Sequence, residues 1–473
     1  MAFRVVPRPW VLAAVLALVP LPASAQSSTA DAYFEFLMAR RFEAEGDNRA
    51  ALAALERAAK AAPDSAEVQA EIAAFHLRRN DRAAAEKFAR AALGIDEKNV
   101  EANRTLGLIY AAAVDNAAAR TPAADTERYL RDAIAHLERA IAGMPLADSN
   151  LLFTLGRLYT RAGAADKAVQ TLTRVITQNP GSRQGRLALA QAYAAGQDLN
   201  SAIATLEEVV EDDPALAGAL GQYQEQAGRL EDAVASYTLA LAVQPNNALL
   251  KLRRISVLYT MKEYDRAAAL AAEGRKQHPE DLRFVRLQAR ALFDAGDRSG
   301  AIALVEAAVR AFPKDVQTQY ALADLYRDSG RDLDAEKTLR QILAIDPTNA
   351  NALNYLGYLL ALRGERLDEA ISLVRRALDA DPDNGAYLDS LGWAYFRRGD
   401  LDEAEKYLSA AAARLPENSE IQDHLGDVYA RRGRLQEAIA AWRRALEGDM
   451  QDVDRAVIEQ KIRDAQSKLQ NAR

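Results

Sequence analysis

Apolar residues recur three and four positions apart along almost the entire chain, in stretches of about four helical turns separated by short polar breaks. This period predicts helix after helix, each with one buried face. The segment from Tyr387 to Phe396, the break Arg397-Arg398-Gly399-Asp400 and the segment from Leu401 to Leu408 illustrate one unit. Gly399 suits the left-handed conformation that ends a helix. Pro416 stops the second helix because it has no amide hydrogen to donate.

The unit repeats. Alanines stand at Ala51, Ala85, Ala133, Ala168, Ala202, Ala233, Ala267, Ala301, Ala335, Ala370, Ala404 and Ala438, nearly always 34 or 35 residues apart. Twelve residues after the alanine comes a proline in ten of the twelve units, with Glu97 and Met450 in the others. In the first helix of each unit a second small position holds Gly107, Gly156, Gly221, Gly357, Gly392 and Gly426, or Ala39, Ala73, Ala190, Ala289 and Ala323; Ile255 alone is large. A small residue is required where two helix backbones approach closely, because a packed interior has no room for a branched side chain. Three residues further on an aromatic recurs at Phe42, Tyr110, Tyr159, Tyr193, Tyr326, Tyr395 and Tyr429.

These alanine, small, aromatic and proline columns resemble the tetratricopeptide repeat. The resemblance implies an all-α, right-handed superhelical solenoid of about twelve helical hairpins between about Asp31 and Gln451. A solenoid needs a cap over its open apolar end. The spacing of Val453, Val457, Ile462, Ala465 and Leu469 predicts such a capping helix within residues 452–473. Two intervals depart from the period. The interval of 48 from Ala85 to Ala133 predicts an inserted loop near residues 114–127, and that of 31 from Ala202 to Ala233 predicts a short first helix in repeat six.

The amino terminus changes the picture. Residues 1–9 carry two arginines and no acid, residues 10–19 are unbroken apolar sequence, and Ala23-Ser24-Ala25 places small residues where signal peptidase cuts. The pattern is that of a secretory signal over residues 1–25, cleaved between Ala25 and Gln26, with residues 26–451 as the repeat region. The expected destination is a bacterial periplasm or the exterior. Ten apolar residues are too few to span a bilayer. The absence of cysteine argues against a lipid anchor, a disulfide framework or a thiolate metal site. Loss of Arg4 and Arg8 takes the net charge from −7 to about −9, a poor match to nucleic acid.

Chemistry finds little foothold. Twelve repeats, the insertion and the final helix occupy the mature chain and leave no room for a catalytic domain. No paired-histidine zinc motif, phosphate-binding glycine loop or nucleophile elbow is present, so neither catalysis nor a cofactor or metal is expected. His76 reads as a packing residue, His278 as a loop residue, and His136 and His424 as helix-surface residues. Asn103-Arg104-Thr105 matches a glycosylation acceptor but falls inside a predicted helix.

What remains is a binding surface. In tetratricopeptide proteins the first helices of successive repeats line a concave groove. Its positions in repeats ten to twelve correspond here to Asn351, Asn354 and Tyr358; to Asp389, Trp393, Phe396 and Arg397; and to Asp423, Asp427 and Arg431. Aromatics beside charges suit an extended peptide or a partner's helix, unless Trp393 and Phe396 simply pack on the next repeat. Arg283, Arg286 and Arg290 lie at helical spacing one repeat after Lys251, Arg253 and Arg254. They form either a basic strip for carboxylates or solvated arginines paired with Glu280, Asp281 and Asp294.

A narrower resemblance lies in the last three repeats. The runs Asn351 to Tyr358, Arg366 to Ala370, Leu388 to Trp393 and His424 to Val428 resemble bacterial envelope tetratricopeptide adaptors. Among these is the outer-membrane adaptor lipoprotein of a carboxyl-terminal processing protease. This resemblance implies a non-catalytic adaptor that binds a processing protease and delivers cell-wall hydrolases to it. An exopolysaccharide-secretion scaffold and a periplasmic peptide-binding chaperone are the alternatives, and self-association stays open because repeat faces can stack.

Overall fold

A computed structural model describes residues 23–116, 122–450 and 453–471. Among these residues the chain forms 25 α-helices, divided between two compact units, Met1–Val243 and Gln244–Arg473. Of the secretory signal expected over residues 1–25, residues 1–22 lie outside the described residues.

The first unit pairs its helices in sequence as six hairpins. They are α1 (Ala23–Ala44) with α2 (Asn48–Ala61), α3 (Ala66–Arg78) with α4 (Arg82–Ile95), and α5 (Val100–Asp115) with α6 (Ala123–Ala142). The next three are α7 (Ser149–Arg161) with α8 (Ala165–Gln178), α9 (Arg183–Ala195) with α10 (Leu199–Glu207), and α11 (Ala217–Gln226) with α12 (Leu230–Val243). The second unit also has six hairpins, beginning with α13 (Ala248–Thr260) and α14 (Tyr264–Gln277), then α15 (Leu282–Asp294) and α16 (Arg298–Ala311), then α17 (Val316–Asp328) and α18 (Asp332–Ile345). It continues with α19 (Ala350–Arg363) and α20 (Leu367–Ala380), α21 (Gly385–Arg398) and α22 (Leu401–Arg414), α23 (Ser419–Arg431) and α24 (Leu435–Glu447), and closes on α25 (Arg455–Asn471). The twelve hairpins expected from the period are all present.

Every alanine of the defining column is fully buried, at 0% exposure in all twelve hairpins. The side chain four residues later fills the space opposite the small residue of the first helix. A Cβ added to Gly392 would stand 2.6 Å from Leu408 Cγ and 3.2 Å from the Ala404 carbonyl oxygen, and one added to Gly426 would meet the Trp442 indole at 2.4 Å. Such overlap has no cheap relief, since overpacking a tight core costs roughly 1–3 kcal/mol. Ile255 escapes this because the residue four after Ala267 is Ala271, also buried, so large and small have changed places.

The ends of the helices follow from their sequences. Asn349 accepts from the Ala352 amide at 3.1 Å and Asp81 from the Ala84 amide at 3.2 Å, satisfying donors that have no partner inside the helix. Gly364 and Gly399 end α19 and α21 at φ of 67° and 96°, which an L side chain adopts only under strain.

Repeat three departs from the expected loop. Of residues 114–127, Val114 and Asp115 finish α5 and the stretch from Ala123 onward opens α6, while residues 117–121 lie outside the described residues. The described part of the insertion is therefore largely helical, because its alanines favour helix over coil. In repeat six α11 is 10 residues long, as the shortened interval requires, and a 3-10 turn at Pro214–Leu216 leads into it. The preceding α10 is shorter still, at 9 residues. α25 packs Ile458 and Ala465 against Ala438, Ile439, Trp442 and Ala445 of α24, covering the apolar face that the last hairpin leaves open.

Candidate partner-binding groove

The second unit places α19, α21 and α23, the first helices of three successive hairpins, side by side, with α21 touching both neighbours. At the centre of this face His424 of α23 donates from Nδ1 to Asp389 Oδ1 of α21 at 2.9 Å, and both side chains are buried. The Trp393 indole stacks on the His424 ring at 3.9 Å between centroids and on Phe396 at 4.9 Å. Arg431 lies 5.2 Å over Phe396 from the next hairpin. Asp389, Trp393, Phe396 and Arg431, expected from the repeat register, are thus brought into one cluster.

His424 corrects the expectation that it lies on a helix surface. It stands thirty-five residues after Asp389. One repeat is the separation at which adjacent first helices face each other. Burial opposes charge on the imidazole, but Asp389, with Glu420 and Asp423 beyond it, outweighs burial and raises the His424 pKa above the ordinary 6.5.

Two polar atoms of these helices are enclosed without a partner among the described residues: Trp393 Nε1, a donor, on α21 and Asn354 Oδ1, an acceptor, on α19. Asn351 at the rim accepts from the Tyr387 hydroxyl at 2.6 Å. The Tyr358 hydroxyl reaches past α21 to donate to the Glu420 carboxylate.

Other expected contacts are committed within the chain. Lys461 of α25 binds Asp423 at 2.8 Å and Asp427 at 2.8 Å, so the terminal helix, which the repeat register does not position, occupies the acids of α23. Burial and the nearby Asp423 push the Asp427 carboxyl above its usual range in spite of Lys461. Arg397 donates to the Leu362 carbonyl at 2.6 Å.

The basic strip is not free. Arg283 pairs with Asp281 at 2.7 Å, Arg286 with Asp315 at 3.4 Å, and Arg290 with Asp294 at 2.9 Å and Asp328 at 2.8 Å. Asp281 and Asp294 are partners foreseen for solvated arginines, whereas Asp315 and Asp328 come from the next hairpin. Among the described residues no group of three or more histidines and carboxylates is placed to hold a metal ion, and no helix is long and apolar enough to cross a membrane.

Stacked helical hairpins with a polar and aromatic face define a helical-repeat scaffold for binding other proteins. Models described as tetratricopeptide repeat match residues 36–100, 161–222, 252–316, 292–357 and 390–453, together more than half of the chain. The chain belongs to the tetratricopeptide repeat family. It is 33% identical over 197 residues to a TPR repeat-containing protein of Pseudomonas aeruginosa, covering 41% of this chain and 32% of that protein. It is 26% identical over 198 residues to the cellulose synthase operon protein C of Escherichia coli (strain K12), covering 42% of this chain and 16% of that protein. The matches therefore span at most about a third of the length of these curated relatives. A solved structure of Naa15/Naa10 bound to HypK-THB is similar at 18% identity and a TM-score of 0.43, covering 87% of this chain and 67% of that chain.

Proposed function

We propose that this protein is a non-catalytic adaptor exported to the bacterial periplasm, where it gathers protein partners and presents substrates to a processing protease. The observation that carries the binding part of this reading is the half-buried stack of Phe396, Trp393 and His424, with Arg431 over Phe396, on the face formed by α21 and α23. Rings beside a cation suit a peptide segment, since the rings offer it apolar contact and the charge sets its register. Export rests on the composition of residues 1–25, and delivery to a protease rests on the resemblance of the last three repeats to envelope adaptors.

A second reading, a scaffold for exopolysaccharide secretion, is favoured by the likeness to cellulose synthase operon protein C. The arginines that would have served it are ion-paired, which weighs against them as a ready polyanion strip.

Capture from envelope extract with the chain from Gln26 to Arg473 as bait tests both. The adaptor reading expects a processing protease or cell-wall hydrolases in near-stoichiometric amounts. Trp393→Phe keeps a ring on His424 but removes the indole N–H and its five-membered ring, so the bound amount should fall about tenfold with only a small change in melting temperature. Recovery of polymer-export components, or a broad set of unfolded clients as a chaperone would hold, counts against the adaptor.

A further inference from the structure

In the first unit a cleft of about 570 Å³ opens beside α4 and α6 over Leu106 of α5. Its walls carry Arg90, Lys98, His136 and Arg139, with Glu97 and Leu93. Volumes of this order hold a small molecule.

One buried amide organises the cleft. Asn103, at 0% exposure, donates from Nδ2 to the carbonyls of Glu97 at 3.0 Å and Asn99 at 2.9 Å, and its Oδ1 lies 2.8 Å from His136 Nδ1. An amide oxygen only accepts, so His136 Nδ1 carries the proton and Nε2 is left as an acceptor on the side away from Asn103. The same residue therefore fixes the loop that bears Lys98 and the tautomer of the imidazole. Its burial also removes the Asn103-Arg104-Thr105 motif as a glycosylation acceptor.

The charges are unevenly spent. Arg90 is neutralised by Glu86 at 2.8 Å and donates to the Tyr110 hydroxyl at 2.7 Å. Among the described residues the side chains of Lys98, Arg139 and Glu97 have no ion-pair partner, and Asp132 stands close enough to His136 to act on its charge, so cations and acids around the cleft are balanced. Burial, then Arg139 and Arg90, hold the His136 pKa below the usual value against Asp132, consistent with a neutral acceptor. Gly94, which also lines the cleft, stands near the end of α4 where a Cβ would meet nothing within 4 Å. A larger side chain at Gly94 would therefore displace no neighbour, and any such residue but proline is a better helix former.

We propose that this cleft binds a small organic monocarboxylate bearing a hydrogen-bond donor next to its carboxylate, as in a 2-hydroxy acid. Lys98 and Arg139 hold the carboxylate, His136 Nε2 accepts from the donor, and Leu93 and Leu106 receive the carbon skeleton. Glu97 and Asp132 beside the site repel a dianion more strongly than a monoanion, which selects carboxylate over phosphate.

The full chain carrying ring-labelled histidine, titrated with L-lactate and followed by NMR, tests this. The His136 resonance, identified by its loss in His136→Gln, should shift saturably while those of His76, His278 and His424 stay in place. Acetate, which lacks the donor, and inorganic phosphate should bind more weakly than lactate. Arg139→Gln and Lys98→Gln should each weaken lactate binding about tenfold or more. Gly94→Leu, which fills open space with a better helix former, should block binding and leave the melting temperature at or above wild type. The proposal is overturned by the absence of a saturable shift, by an equal shift with chloride, by tighter binding of phosphate than lactate, or by full binding in Gly94→Leu.

Discussion

The arginines of α15 and the aromatic cluster of α21 and α23 look equally promising as binding surfaces in the register of the repeat, yet their partners differ. Arg283, Arg286 and Arg290 each find a carboxylate, close by in sequence or on the next hairpin. Trp393 Nε1 and Asn354 Oδ1 find nothing, although both are enclosed. A paired surface charge has little left to offer a ligand and contributes little to stability. An enclosed polar atom without a partner costs about 1–3 kcal/mol, a cost that a bound group would remove. Since Gln288 Oε1 of α15 is likewise enclosed and unpartnered, the difference between the two faces lies in the stacked rings of one and the paired charges of the other, and the number of charges on one helix is a poor guide.

The largest effect that sharpens this contrast is expected at the base of the cluster. Asp389→Ala strands His424 in a buried site, and should destabilise the second unit by about 3 kcal/mol, the lower end for removing one member of a buried ion pair, because an imidazole can shed its proton. Tryptophan fluorescence during urea unfolding reads this out, since Trp393 and Trp442 both belong to the second unit. A loss below about 1 kcal/mol would place the pair in the same energetic class as the exposed arginine pairs.

Acidity should separate the two regions next. The His424 pKa is raised in the folded protein, so the stability that its charge contributes is complete below the unfolded value of about 6.5 and is lost as pH rises through the higher folded value. The urea midpoint of the second unit should therefore fall as pH rises above roughly 6.5, and His424→Gln should flatten that part of the profile. Asp427, also raised, by burial and then Asp423, follows the same sign. A wild-type profile that is flat over that range would remove the Asp389–His424 charge pair from the account of the site.

Much of this was legible in the chain. The alanine column predicted residues that are all buried, and Gly392 opposite Leu408 is the close approach that a small residue implies. Trp393, Phe396, Asp389 and Arg431 follow from the repeat register alone. His424 and His136 were missed because a helix-by-helix reading sees an isolated polar residue on each. Their partners lie one hairpin away: Asp389 for His424, Asn103 for His136. Polar pairs about one repeat apart were the available signal, repeated in Arg78 with Glu43 and in Tyr259 with Asp294. The grip of Lys461 on Asp423 and Asp427 was not legible at all, since the angle at which a terminal helix docks is set by packing and not by the repeat. In repeat three α6 already opens at Ala123, inside the stretch expected as loop; an interval length cannot distinguish a longer helix from a longer loop.

The smallest effect tests the other side of the comparison. Arg290 is 44% exposed on its side chain and is shared between Asp294, Asp328 and the Tyr259 hydroxyl. Solvent screens each of these contacts, and holding a long side chain in one position costs entropy. Arg290→Ala should therefore lower stability by less than about 1 kcal/mol. At about 1 M salt, where screening acts within roughly 3 Å, most of that difference should vanish. Partner capture should be unchanged, in contrast to its loss in Trp393→Phe. If Arg290→Ala instead abolished capture and left stability intact, the arginines would be recruiting a ligand in spite of their pairing, and the secretion-scaffold reading would gain over the adaptor. Because the acids that neutralise α15 come partly from the neighbouring hairpin, such a ligand would have to displace Asp315 and Asp328 first.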